Sequence, residues 1–247
     1  MKYKVKHEAE IEGLGDIGYI EAPFDEALDI LENKGYEALI SGRDLAFARM
    51  KEGAKSSLSN LGSYIKEGIL YTPKQNPLLL PTSSIIYNAQ EATQAHRNRK
   101  EFYSSQDIVA EALNEAEEDR KKNPQERRIL ILPKRETYTV PTKSFGDDEA
   151  TLWLFKDQAR VYGEFLYENK IHEMPIWLVD KKYADNKEPF ERQLLLHHLG
   201  RSGLGGDYLV LNYGLGVRGV RSGVSSKEYL EYIQSLIDPN LEQRMLN

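Results

Sequence analysis

Three glycines, Gly214, Gly216 and Gly219, stand at G-x-G-x-x-G spacing with Arg218 and Arg221 between and after them. Glycines at this spacing let backbone amides approach a phosphate closely, and arginine adds a planar, bidentate cation. Ser225 follows at the expected start of a helix, with Glu228 three residues on in a capping box. The segment therefore reads as a phosphate loop running over 214–225. The same pattern also describes an ordinary turn with exposed arginines. It departs from a dinucleotide site, because Gly223 intervenes before the helix and too little chain follows for a second strand and helix. A second copy of the spacing, Gly13 to Gly18, precedes the strand-like "YIEAP" and reads as a hairpin turn.

If the strands of the later half are parallel, ligands collect beyond their carboxyl ends. That rule adds the segment after "PIWLV", where Asp180 and Lys181 would lie, Asp180 toward a ribose hydroxyl or a metal and Lys181 toward a phosphate. The loop "PKRET" after Leu132 adds Lys134 and Arg135 to the same rim. Other chemistry is thinly supplied. His197 and His198 are adjacent, so on a helix they point about 100° apart and cannot chelate one metal. The basic run from His96 to Lys100 suits a helix carboxyl end as well as it suits a nucleic-acid phosphate. The chain has no G-x-x-x-x-G-K-[ST], H-E-x-x-H, EF-hand or G-x-S-x-G pattern, and no motif names a cofactor.

Composition bounds the rest. The 247 residues lack cysteine, which removes disulfides, thiolate metal sites and cysteine nucleophiles. A formal charge of -6 argues against a bulk nucleic-acid binder. No uncharged run approaches the roughly 18 residues of a membrane span, and a cytoplasmic location is the expectation. Fifteen tyrosines exceed what any catalytic set here would use, and tyrosine and arginine concentrate at interfaces.

The elements that must position these residues follow from periodicity. Alternation over 3–11 and "GYIEA" predicts a hairpin. Pro23 opens a helix that Gly35 ends, and Ser41 with Asp44 caps the next. Two strands, "SYIKEGILYT" and "NPLLLPTSSIIY", precede helices starting near Asn88 and after "YSS". A boundary is placed at 125/126, where Asn123 and Pro124 stop the last of these helices. Beyond it, strands "ILIL", "TYTV", "PIWLV" and "YLVLN" alternate with a helix from Asp148 to about Asn169, one from Pro189 to Leu199 and a last from Ser226. The expected fold is thus mixed: an α+β region over 1–125 and an α/β region with parallel strands over 126–247. The function expected is that of a non-catalytic interaction or assembly protein with a protein partner or self-association. The alternative is a protein that binds a phosphorylated small molecule, such as a nucleotide, through the loop at 214–225.

Overall fold

A computed structural model describes residues 3–36, 38–207, 211–212 and 215–221. The chain opens with a hairpin, β1 (Lys6–Ile11) and β2 (Gly15–Glu21), whose turn is set by Gly13 at φ +80°. Helix α1 (Phe24–Asn33) follows Pro23 and buries Phe24, Ala27 and Leu31, one stripe at helical spacing. After β3 (Ala38–Leu39), helix α2 (Gly42–Glu52) starts where the Ser41 hydroxyl oxygen accepts from the Asp44 amide at 3.1 Å. A short α3 (Ser57–Asn60) leads into β4 (Ser63–Tyr71), the longest strand, and then β5 (Leu78–Leu80). Helix α4 (Ala89–Arg97), strand β6 (Phe102–Tyr103) and helix α5 (Gln106–Asp119) come next.

Past the boundary expected at 125/126 lie β7 (Leu130–Ile131), β8 (Tyr138–Pro141), α6 (Glu149–Phe155), α7 (Ala159–Glu168), β9 (Glu173–Trp177) and α8 (Lys181–Asp185). The last described elements are β10 (Phe190–Leu196), β11 (Leu204–Gly205) and β12 (Gly216–Arg221).

One sheet joins strands from both sides of that boundary. Its main path runs β1-β2-β12-β4-β10-β11-β9-β8, with β3 on β12, β5 on β4, β6 on β10 and β7 on β5. Most pairs are antiparallel; β9 with β11 and β12 with β4 are parallel. The fold is a mixed α+β arrangement, as the sequence suggests. Three particulars differ from expectation. The helix expected over Pro189–Leu199 is strand β10, with all seven residues buried. Its "ERQ" supplies polar side chains whose partners lie far along the chain, a long-range pairing that local periodicity does not reveal. The strand "ILIL" is β7, which pairs antiparallel with β5 and does not stand beside β9. The carboxyl-end rim shared by parallel strands is therefore not formed by these segments. "YLVLN" is described only at Leu211 and Asn212, and the helix expected from Ser226 lies outside the described residues.

The single long helix expected from Asp148 to Asn169 is two. Asp148 caps α6 through Thr151 N at 3.0 Å, but Lys156 takes φ 53° and a 3-10 turn at Lys156–Gln158 intervenes before α7. The break brings Phe155 and Tyr162 together, ring centroids 4.9 Å apart, and stacks Phe145 on Phe155. Gly163 in α7 lets this cluster close: a Cβ there would sit 2.2 Å from the Thr142 carbonyl oxygen and 3.0 Å from Phe145 Cβ. Gly163→Ala should therefore destabilise by about 1–3 kcal/mol through overpacking, although alanine gains roughly 1 kcal/mol of helix propensity. A urea midpoint lower than the parent's is the expected reading; a midpoint raised by the propensity gain would show that α7 can shift off Thr142.

Candidate functional site

The residues of the expected phosphate loop fall in two places. Gly216, Arg218, Gly219 and Arg221 form strand β12, paired along its length with β2, so this part of the loop is sheet and not a cradle. Gly214 and Ser225 lie outside the described residues. The glycines answer to tyrosines: a Cβ on Gly216 would meet the Tyr19 ring at 2.2 Å, and one on Gly219 would meet Tyr36 Cβ at 2.7 Å. Both Tyr19 and Tyr36 therefore lie close over the strand.

Arg218 does make a bidentate contact, but with this chain's own Glu8: Nε to Oε2 at 2.6 Å and Nη2 to Oε1 at 3.1 Å. Its side chain is fully buried, stacks over Tyr19 and donates further to the carbonyls of Ser57 and Gly62. Arg221 donates to Asp16 and lies over Tyr36. Arg218 is thus spent inside the sheet, while Arg221 remains half-exposed but is paired with Asp16. Asp180 and Lys181 sit beyond β9, separated from β12 in the sheet by β4, β10 and β11. At about 4.8 Å per strand the separation is roughly 19 Å, so the two groups do not converge. Asp180 instead caps α8, accepting from Tyr183 N at 3.0 Å.

That cap leads to a different cluster. Arg99 takes φ 55° after α4 and turns the chain so that Glu101 enters the interior just before β6 pairs with Phe190 and Glu191 of β10. Arg192, the next residue on β10, donates to Glu101 from Nε at 3.1 Å and from Nη2 at 2.6 Å, and to the Asp207 carbonyl from Nη1. Glu101 and Arg192 are 1% and 5% exposed at their side chains. A buried pair of this geometry fixes position more than it adds stability. Its third member reaches the surface: Tyr183 of α8 donates its hydroxyl to Glu101 Oε1 at 2.7 Å while its ring remains 38% exposed.

Around Tyr183 stand Phe190, edge-on at 6.2 Å, and Lys187, whose Nζ lies 4.9 Å from the ring centroid. Tyr103, paired in register with Phe190, is 45% exposed. Burial and the hydrogen bond to Glu101 push the Tyr183 phenol up to about 12, so it stays protonated at neutral pH. His96 on α4 lies within electrostatic range of the pair; burial lowers its imidazole to about 4, and neither ring nitrogen has a hydrogen-bond partner among the described residues. It is a neutral, desolvated packing group. The Asp207 carboxyl is likewise raised by burial.

This arrangement holds the Tyr183 ring at the surface in a fixed pose, and Tyr103 adds a second exposed ring on the neighbouring strand. Glu101 accepts from both Arg192 and Tyr183, and the Tyr183 proton is given to Glu101. Among the described residues no group of three or more His, Asp or Glu is placed to hold a metal ion. No helix among them is long and apolar enough to cross a membrane. Sequence reasoning found the surplus of tyrosine but not this site; the one local signal was Tyr183 inside "DKKYADN", three residues after a capping aspartate.

No family model matches this chain, and no curated protein matches it. A solved structure described as "Accommodation of massive sequence variation in Nanoarchaeota by the C-type lectin fold" is similar over 89% of this chain and 99% of its own, at 19% identity and a TM-score of 0.58. At that identity the likeness shows the fold: a C-type lectin arrangement of helices around a mixed sheet.

Proposed function

We propose that this protein is a non-catalytic interaction module that meets a protein partner through the surface of Tyr103 and Tyr183. The observation that carries this reading is the chain from Arg192 through Glu101 to the Tyr183 hydroxyl, which locks an exposed aromatic ring from below. A side chain immobilised before binding loses little conformational entropy on binding, and tyrosine then contributes large contact area with a polar end. The fold supports the same reading. The nanoarchaeal structure is described as a C-type lectin fold that accommodates massive sequence variation. Here the framework is held by internal pairs such as Glu8–Arg218 and Glu101–Arg192, so exposed residues are free to serve recognition.

The test is capture on the immobilised full chain beside light scattering for self-association. Association should weaken about 30-fold in Tyr183→Ala and Tyr103→Ala, about 2 kcal/mol for an interface anchor, and stay unchanged in Tyr167→Ala, an exposed tyrosine on α7. Equal binding by all four proteins rejects the proposal, as does a chain that is monomeric and captures nothing. Thermal stabilisation by nucleotides would instead favour a phosphate ligand, and its loss in Arg221→Ala would place that ligand at β12.

A further inference from the structure

A hollow of about 400 Å³ opens where the approach to β1, the end of α1 and the end of β12 meet. Its size falls within the roughly 300–1,000 Å³ of small-molecule sites. Lys4, Lys34 and Arg221 all line it, and no lining residue is a carboxylate. Lys4 and Lys34 are exposed, and neither takes part in an ion pair among the described residues. A chain of formal charge -6 thus gathers three cations at one concavity. A cleft lined by one sign of charge concentrates ligands of the other.

The carboxylate nearest to these cations, Asp16, is spent on the wall itself. Its Oδ1 lies 2.5 Å from His7 Nδ1, and its Oδ2 accepts from the Tyr36 hydroxyl at 3.3 Å and from Arg221 Nη2. Arg221 Nη1 donates to the Lys34 carbonyl at 3.4 Å, and the guanidinium lies 5.2 Å from the Tyr36 ring centroid. The Tyr36 ring lies this close to β2 because Gly18 has no side chain: a Cβ there would be 2.3 Å from Tyr36 Cζ. These contacts set the guanidinium in place before a ligand arrives and still leave the Arg221 side chain 48% exposed. Asp16 offsets one of the three cations, so two positive charges remain for a ligand. Tyr3, Val5 and Ile30 complete the walls, which makes the surface between the cations aromatic and aliphatic. No Asp, Glu, Asn or Gln lines it to hold the hydroxyls of a ribose.

We propose that this hollow binds a small organic anion, a carboxylate on an aromatic or aliphatic body. Lys4, Lys34 and Arg221 surround the head, and Val5, Ile30 and Tyr36 pack against the body. The hollow shares no residue with the Tyr103 and Tyr183 surface, so either can bind without the other.

The probe is 1-naphthoate, titrated into the full chain by calorimetry and by amide NMR. One saturable site is expected, with the largest shifts over 4–7, 30–36 and at 221. The neutral 1-naphthamide should bind at least about tenfold more weakly, the loss of a charge-assisted contact. Lys4→Gln/Lys34→Gln, at exposed positions that leave the packing intact, should weaken naphthoate about tenfold, two surface charge contacts together. Lys121→Gln, an exposed lysine beyond α5, should bind as the parent does. The double variant binding as tightly as the parent, naphthamide matching naphthoate, shifts centred elsewhere or no saturable binding would each overturn the proposal. Tighter binding of AMP or inorganic phosphate than of naphthoate would overturn it in favour of a phosphate ligand.

Discussion

Glu8→Ala should cost this protein about 3–5 kcal/mol, the effect of leaving a buried charge without its counter-ion. Arg218 is fully buried, and the Glu8 carboxylate is 4% exposed at its side chain. Burial disfavours the charged guanidinium, and the bond to Glu8 opposes that without matching it; arginine in a protein does not escape by losing its proton. The remaining N–H groups already donate to the carbonyls of Ser57 and Gly62 at 3.3 and 3.2 Å. These neutral acceptors do not replace a carboxylate. The pair also ties β1 to β12 across β2 and pins the turn before β4, so its loss loosens three strands together. Glu8→Gln, which keeps an acceptor but not the charge, should lose less. Urea denaturation measures both, and the exposed Arg43–Asp157 pair gives the scale: Asp157→Ala should cost under about 1 kcal/mol. Glu8→Ala falling within that range would mean that Arg218 finds solvent or another partner.

The same pair shows what a sequence makes legible. Arg218 attracts notice because glycines surround it, and bidentate chemistry is the right expectation for it. The partner is 210 residues away, however, at the irregularity in β1 between His7 and Ala9 that turns Glu8 inward. Alternation over the hairpin predicts its strands but not which residue a bulge re-aims. Local signals fared well wherever the physics is local. The Ser41 and Asp148 caps, the start of α1 after Pro23 and the end of α4 near Arg97 all follow from residues within four positions. They fared worst at β10, whose Glu191, Arg192 and Gln193 are each satisfied from more than 80 residues away. "FERQLLL" has no period that separates a buried strand from a helix. The tyrosine site is illegible for the same reason, since Glu101, Tyr183 and Arg192 meet only once β6, α8 and β10 have packed.

The second large effect is a pH dependence centred on Glu67. This carboxyl on β4 is 8% exposed and has one described hydrogen bond from another residue, from the Gly42 amide at the start of α2, at 3.0 Å. Burial raises it to about 7 against an ordinary 4.5; the Gly42 bond pulls the other way without matching the burial. The folded state therefore keeps a proton that the unfolded chain releases between pH 4.5 and 7. Where the folded state binds more protons, stability falls as pH rises, by up to about 1.4 kcal/mol per unit. The loss across that window is on the order of 3 kcal/mol, complete above pH 7. His96 and His197 act in the opposite sense: burial lowers each to about 4, so their contribution is lost as pH falls from 6.5 toward 4. The parent's own pH curve sums these opposed slopes and can look flat. Glu67→Gln separates them, because the amide keeps an acceptor for Gly42 and cannot ionise, while both histidines are retained. Subtracting the parent from the variant in urea titrations at pH 5, 6, 7 and 8 should give a difference that grows in the variant's favour up to pH 7 and then levels. A constant difference across the series would mean that water reaches Glu67 and that its charge is accommodated beside the first turn of α2.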